Sequence, residues 1–228
     1  MRLLSHAKGH WTLALLLSGV LLMGAAAPSQ SPTEAIRHAN DRLRQLLAKK
    51  ADTQAAREKI DKQINAELHT ILDIPFLTRL ALADHWEKMT PKQRNEVTST
   101  LQAIVDRNYL NQLRGNLDYK IDYVGEEANG EDRIVKTFIR SQKNGRTSKV
   151  AVNYTLRPEG DHWRIFDITT EEVSILRNYR DQFNRVINKD GVDGLIAKMK
   201  NKLKSKDEVE KASEHREGRK PSRNRRGE

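Results

Sequence analysis

The sequence contains no cysteine. Disulfide bonds, thiolate zinc sites, iron–sulfur clusters and cysteine nucleophiles are therefore all excluded. A lipoprotein anchored through a lipidated cysteine is excluded for the same reason. If the chain works outside the cytoplasm, its fold has to be stable without covalent cross-links.

Common signatures of hydrolases and nucleotide-binding proteins are missing as well. The motifs G-x-S-x-G, G-x-x-x-x-G-K and G-x-G-x-x-G do not occur. Two of the seven histidines lie in the N-terminal leader described below, and no two of the others have the four-residue spacing of a helical zinc site. The sequence therefore predicts neither a metal site nor a cofactor.

The positive charge is concentrated at the C-terminus. The chain has 228 residues, 37% of them hydrophobic, which suits a single domain with a real core and argues against wholesale disorder. Its net charge is +10, but residues 28–199 hold 28 basic and 25 acidic side chains, whereas residues 200–228 hold eleven basic and six acidic ones. Because the predicted domain is nearly neutral, it has no broad positive field that would attract nucleic acid.

The first 26 residues have the pattern of an export signal. Arg2 and Lys8 precede a Leu-rich stretch over residues 12–23, and small residues follow it at 24–27. We predict a signal peptide over residues 1–26 with cleavage after Ala26. An uncleaved membrane anchor is the alternative, although the apolar segment is at the short end of the spanning range.

Helical periodicity dominates the next part of the chain. Residues 31–34, Ser-Pro-Thr-Glu, form a capping box that predicts a helix extending to about Lys50. A second apolar stripe covers residues 60–72, and Asp73 is expected to cap a short third helix. Residues 90–93 repeat the cap pattern and begin the most strongly patterned helix of the chain.

From residue 119 the period of the apolar residues changes to two, which is typical of strands. Short polar turns separate the alternating segments, so the pattern predicts an antiparallel meander of four strands. The last segment, residues 162–169, has apolar residues on both faces and is expected to be a central or doubly covered strand. Helix is expected to resume near Val173.

Helices, then a sheet, then helices indicate an α+β fold. We expect a four-stranded antiparallel curved sheet covered by N- and C-terminal helices, with an apolar cavity between them. The domain is expected to cover residues 27–203. Residues 204–228, which are rich in charge and poor in apolar side chains, are expected to form a disordered basic tail.

Asp167 is the single candidate for a catalytic group. A carboxylate on an otherwise apolar strand has the environment that raises the pKa of a general base. The alternative, which we favour, is that Asp167 caps or orders the turn before Glu171, because Asp side chains commonly bond to nearby backbone.

The block that begins at residue 163 resembles a known family. Residues 163–183, W-R-I-F-D-I-T-T-E-E-V-S-I-L-R-N-Y-R-D-Q-F, carry most of the resemblance, supported by A-L-A-D-H-W at 81–86 and Asn-Tyr at 108–109. Together they are similar to the MlaC family of periplasmic phospholipid carriers, also called the toluene-tolerance family. Asp84 and Glu172 depart from the pattern because that family often has glycine there.

The resemblance implies a lipid carrier. Such a protein would bind phospholipid in the periplasm and shuttle it between an outer-membrane lipoprotein and porin complex and an inner-membrane ABC transporter complex. The resemblance implies no covalent chemistry, no cofactor and no nucleic-acid partner.

The apolar stripes supply candidates for the wall of the lipid cavity, although ordinary core packing would produce the same pattern. The candidates are Leu101, Val105 and Tyr109 on the long helix, Val135, Ile139, Val150, Val152 and Tyr154 on the sheet, and Val173 and Ile175 beyond it. Arg180 is expected to pair with a nearby carboxylate rather than with a lipid phosphate.

Two other functions stay open at this point. One is a small enzyme on a curved sheet that uses Asp167. The other is an envelope protein that binds a polyanion through its basic tail, which could attract anionic head groups by about 1 kcal/mol per basic residue. A solvated tail with no specific partner is at least as consistent with its six acidic residues.

Overall fold

The structure, a computed structural model, describes residues 28–115, 119–143 and 146–217. The predicted signal peptide and residues 218–228 lie outside the described residues. The helices are α1 (Pro32–Leu47), α2 (Gln54–Ile71), α3 (Ile74–Leu82), α4 (Pro91–Gly115) and α5 (Ile175–Glu217), with a 3-10 segment at Ala83–Lys88. The strands are β1 (Tyr119–Asn129), β2 (Asp132–Lys143), β3 (Arg146–Glu159), β4 (His162–Thr170) and β5 (Val173–Ser174).

The predicted helix starts are confirmed by their caps. The Ser31 hydroxyl accepts a hydrogen bond from the backbone N–H of Glu34, and the Glu34 carboxylate accepts one from the backbone N–H of Ser31. The Asp73 carboxylate accepts a hydrogen bond from the backbone N–H of Phe76 and begins α3. These contacts satisfy amides that have no partner inside the helix.

The sheet is an antiparallel meander in the order β1-β2-β3-β4-β5. The predicted α+β class is therefore correct, but the strand count was one too low. The additional strand, β5, is a residue pair that turns back on β4 through Glu171 and Glu172, which have φ angles of 47° and 70°. The helix starts at Ile175, directly after this pair and close to the predicted start near Val173.

The prediction that β4 is a central or doubly covered strand agrees with its place in the sheet, between β3 and β5. The strand pairs with β3 along its length and with β5 only at its end. Its register with β3 shifts so that Thr155 is opposite Asp167 while Leu156 is opposite Ile165, which leaves Phe166 as an inserted residue. This β-bulge places Ile165 and Ile168 on the same face, so apolar residues occur at both odd and even positions.

One face of the sheet is covered by the helices and holds the core; we call it the inner face. Cross-strand register places Val135, Tyr154 and Ile168 in one row of this face. The fully buried aliphatic side chains of the helices include Ile64, Leu68, Leu82, Val97 and Leu101. The helices thus form a layer over a curved sheet, as the apolar stripes predict.

Helix α5 continues beyond the expected end of the domain. A non-helical backbone at Gly191, with φ of 70°, interrupts it, and the helix then extends to Glu217. The sequence predicts disorder for residues 204–217 because they contain few apolar side chains. Lys, Glu and Ala are good helix formers, however, and they can continue a helix that the domain has already started. Within the described residues, no helix is both long enough and apolar enough to cross a bilayer.

Candidate functional site

A partly enclosed cavity of about 220 Å³ lies between the inner face of β4 and the helices. The helices that border it are the junction of α2 and α3, the middle of α4 and the first turns of α5. Its lining residues are Leu72, Ile74, Leu77, Val105, Asn108, Tyr109, Ile165, Phe166, Asp167, Ile168, Ile175 and Tyr179. The wall is therefore mainly aliphatic and aromatic, as in sites that bind apolar ligands.

The junction of α2 and α3 is fixed to β4 by backbone contacts. Leu72 and Ile165 form an isolated parallel bridge, and the backbone N–H of Asp73 donates to the carbonyl oxygen of Ile165 at 2.7 Å. The guanidinium of Arg164 donates to the carbonyl oxygen of Leu72 at 2.8 Å. These bonds hold two cavity-lining residues, Leu72 and Ile165, side by side.

A buried ion pair stabilises the same junction. Asp73 is 4% exposed, and its carboxylate accepts a hydrogen bond from Nε of Arg157 at 2.7 Å. The Arg157 guanidinium also lies over the ring of Phe76, 4.6 Å from its centroid. Since both carboxylate oxygens of Asp73 are bonded, the charge is satisfied beside an apolar cavity.

Asp167 is at the cavity wall, and its contacts are structural. Oδ2 accepts a hydrogen bond from the Ser174 hydroxyl at 2.6 Å, and Oδ1 accepts one from the backbone N–H of Leu176 at 2.9 Å. The hydroxyl of Ser174 in turn accepts from the backbone N–H of Arg177. Asp167 therefore caps the start of α5, whereas the favoured interpretation placed its contacts in the turn before Glu171.

The prediction that Arg180 pairs with a carboxylate is wrong. Its guanidinium donates to the carbonyl oxygen of Leu80 through Nε at 3.3 Å and through a terminal nitrogen at 2.9 Å. Leu80 lies in the last turn of α3, where carbonyl groups have no helical partner. The contact therefore joins the start of α5, which covers the cavity, to the end of α3.

Four of the five tyrosines lie close enough to influence one another beneath the helices. Burial raises the pKa of Tyr109 to about 12, with a smaller effect from Tyr119. Burial also raises the pKa of Tyr154, with further effects from Tyr109, Tyr123 and Tyr119. Among the described residues the buried hydroxyl of Tyr123 has no hydrogen-bond partner. The rings on this side of the cavity are neutral near pH 7, because a raised pKa favours the protonated phenol.

The ten residues predicted as cavity wall do not all lie together. Val105, Tyr109 and Ile175 line the cavity. Tyr154 is directly opposite the cavity residue Ile168 in the sheet. Of the rest, Leu101, Val135 and Val152 are buried in the core, Ile139 and Val150 are partly buried on the inner face, and Val173 is 61% exposed on β5.

Several lining residues were not among the candidates. Leu72 and Ile74 come from the α2–α3 junction, and Ile165, Phe166 and Ile168 come from β4. Their apolar character was visible in the sequence, but the parallel bridge between Leu72 and Ile165 joins segments about ninety residues apart. The cap at Asp73 and the proline at position 75 predict where α3 begins. They give no information on which strand this end of α3 contacts.

The arrangement suits an apolar ligand. Pockets that enclose a drug-sized ligand have volumes of roughly 300 to 1,000 Å³, and the volume of this cavity is smaller. An apolar segment of moderate size fits the space as it stands, and a ligand with two long chains requires the helices or the tyrosine rings to move apart. Asp167, the carboxylate on this wall, has both oxygens bonded at the start of α5.

Comparison with known proteins adds three findings. A family model described as MlaC protein matches residues 37–201. The intermembrane phospholipid transport system binding protein MlaC of Haemophilus influenzae is 21% identical over 208 residues, which cover 87% of this chain and 94% of that protein. The phospholipid-binding protein from Ralstonia solanacearum, solved in complex with a phospholipid, superposes with a TM-score of 0.67 at 20% identity and covers 77% of this chain and 98% of that chain. At this identity the structural match shows the fold.

Proposed function

Since this chain belongs to the MlaC family, we propose that it binds phospholipid and carries it between membranes as a soluble periplasmic shuttle. The family match covers most of the described domain, including every element that borders the cavity. The relative from H. influenzae is by name a binding protein of an intermembrane phospholipid transport system. The related protein from R. solanacearum was solved in complex with a phospholipid.

The cavity between β4 and the helices is the observation that supports this proposal most directly. Two acyl chains carry roughly thirty methylenes at about 0.8 kcal/mol each, so exposing a third of them to water costs about 8 kcal/mol. A carrier therefore has to enclose most of both chains. We propose that the cavity is where the chains enter and that it widens on loading.

The proposed carriage is non-covalent. Asp167, the residue that an enzyme on this fold would use, has both carboxylate oxygens bonded to the start of α5. No observation favours an enzyme over a carrier. A tail that binds a polyanion would leave the cavity without a role, whereas lipid carriage uses it.

We propose a periplasmic location and two membrane-bound partners. The predicted signal peptide, residues 1–26, supports export. The partners that fit a shuttle are an outer-membrane lipoprotein and porin complex and an inner-membrane ABC transporter complex. The name of the relative, a binding protein of an intermembrane transport system, supports a role between two membranes.

Native mass spectrometry of the protein purified from the periplasm without detergent tests the proposal. We expect an added mass equal to a two-chain phospholipid. Val105→Trp places an indole in the cavity and is expected to reduce the loaded fraction severalfold, because the ring occupies space that acyl chains need.

Val124→Trp is the matched control, because Val124 is 59% exposed at a bulge of β1. Circular dichroism verifies that both variants are folded. A folded unmodified protein that carries no lipid, or equal loading of the two variants, would contradict the proposal.

A further inference from the structure

Three basic side chains form a straight row across the sheet face that the helices leave open. Lys120 of β1 is directly opposite Arg140 of β2, and Arg140 is directly opposite Lys149 of β3. All three are exposed. Strands are about 4.8 Å apart, so the three cations, which we call the basic row, lie within about 10 Å of one another.

Register shows that the basic row is on the outer face. Ile139 and Val150 pair with each other on the inner face and pack against the core. Arg140 and Lys149 are their immediate neighbours in sequence, and adjacent residues of a strand point to opposite faces. The basic row is therefore on the opposite side of the sheet from the cavity.

Like charges directly opposite each other destabilise a sheet, so this arrangement costs stability in isolation. Two local contacts offset part of the cost. Arg140 bonds to Asp122 at 2.6 Å, and the Lys149 ammonium is 3.9 Å from the centroid of the Phe138 ring. The row keeps a net positive charge after Asp122 is counted.

We propose that the basic row is a docking surface for the anionic face of a lipid bilayer. The proposal goes beyond lipid carriage, which does not itself require contact between the chain and a bilayer. Each Lys or Arg near an anionic membrane contributes an attraction that lowers the dissociation constant about fivefold. The cavity lies on the other side of the sheet, so the row holds the chain at the membrane surface and does not place the cavity against the bilayer.

The composition of the surface favours a bilayer over a protein partner. Lys is depleted at protein–protein interfaces, and the residues that dominate their affinity are aromatic or Arg anchors seated in pockets. Two of the three cations of the row are Lys on a flat sheet face. Phe138, partly buried between strands, is the one aromatic side chain described beside them. Long flexible cations around an apolar ring suit the interface of a membrane.

Vesicle flotation of the full chain tests the proposal, with vesicles of about one-third phosphatidylglycerol against vesicles of pure phosphatidylcholine. We expect binding to the anionic vesicles at low salt and loss of that binding at high salt. Lys120→Gln combined with Lys149→Gln is expected to weaken binding about 25-fold and leaves the Arg140–Asp122 pair intact. Lys59→Gln with Lys62→Gln, an equal loss of charge on exposed positions of α2, is expected to change binding less than twofold.

Four outcomes would overturn the proposal. The first is that the unmodified chain does not bind anionic vesicles, and the second is that the two double variants weaken binding equally. The third is that deletion of residues 219–228 abolishes binding while the row variant binds normally. The fourth is that the chain binds detergent-solubilised membrane proteins through the basic row but does not bind vesicles. Native mass spectrometry of the same variants separates this result from the proposed carriage. We expect the row variant to retain its bound lipid, because its substitutions are on the face away from the cavity.

Discussion

The side chain of Asp167 accepts a hydrogen bond from the hydroxyl of Ser174 at 2.6 Å, and this contact joins β4 to the residue directly before α5. The second carboxylate oxygen accepts the backbone N–H of Leu176 at 2.9 Å. A negative group at a helix N-terminus is also favoured by the helix dipole. Because Ile175 and Tyr179 line the cavity, this cap fixes the position of one cavity wall.

Asn has nearly the same shape as Asp and can leave this wall in place, so Asp167→Asn is expected to change stability and not lipid content. Asn keeps one oxygen acceptor and loses the charge, so we expect the free energy of unfolding to fall by about 1 kcal/mol. Chemical denaturation measures this change, and native mass spectrometry measures the bound lipid. Asp181→Asn, at an exposed position of α5, is the control and is expected to have little effect. Loss of a catalytic turnover in Asp167→Asn with unchanged stability would instead support an enzyme.

The ion pair at the α2–α3 junction is expected to be important for stability. Arg157→Gln leaves the carboxylate of Asp73, which is 4% exposed, without its cation. Removing one partner of a buried pair costs about 3 kcal/mol, although part of Arg157 is exposed and lowers that figure. Lys136→Gln removes an exposed pair with Glu127 and is expected to cost less than about 1 kcal/mol. Similar midpoints of urea denaturation for both variants would show that the junction does not depend on the buried pair.

The turn between β4 and β5 offers a stabilising substitution. Glu171 and Glu172 both have positive φ, as the two central residues of a type I′ turn require, and this conformation is unfavourable for side chains other than Gly, Asn and Asp. Glu172→Gly is expected to raise the free energy of unfolding by about 0.5 to 1 kcal/mol. Glu172→Ala keeps the steric conflict of a Cβ atom and is the control. Equal unfolding free energies for the two variants would mean that the turn is not strained.

This turn also shows how the sequence departs from the family pattern without a change of fold. Glycine, which the resemblance places at position 172, adopts a φ of 70° without steric cost. Because Glu172 adopts a φ that favours glycine, the departure from the family pattern at this position is expected to cost stability.

The faces of the sheet could be predicted from the sequence, whereas the depth of each residue could not. Alternation placed Val135 and Tyr154 on one face, and the register confirms that they are partners. Alternation cannot show which part of that face borders a cavity, because packed core and cavity wall are both apolar. Val173 illustrates the limit, since it continues an apolar pattern but lies 61% exposed on a two-residue strand.

Bulges and long-range contacts account for most of the remaining differences. The inserted residue Phe166 shifts the period of β4, and Val124 is inserted between the paired positions of β1 in the same way. A bulge depends on the partner strand, which sequence periodicity does not include. The parallel bridge between Leu72 and Ile165, which closes one side of the cavity, also depends on tertiary packing.

Because of its buried tyrosines, the folded protein is expected to become less stable at high pH. Burial raises the pKa of Tyr109 to about 12, above its value near 10 in an unfolded chain, and raises the pKa of Tyr154 in the same direction. Between these values the unfolded chain releases the phenol protons while the folded chain retains them, so the unfolded state binds fewer protons. The stabilisation is complete below pH 10 and is lost as the pH rises through about 12.

We therefore expect Tyr154→Phe to reduce the slope of unfolding free energy against pH above pH 10, because Phe has no proton to lose. Absorbance titration near the tyrosinate band provides an independent measure, since the folded protein is expected to ionise its tyrosines later than the unfolded protein. The unmodified chain and Tyr154→Phe share all lysines, so their difference isolates the phenol from other groups that titrate in this range. If the two proteins had parallel stability curves above pH 10, the Tyr154 hydroxyl would have to be in contact with water.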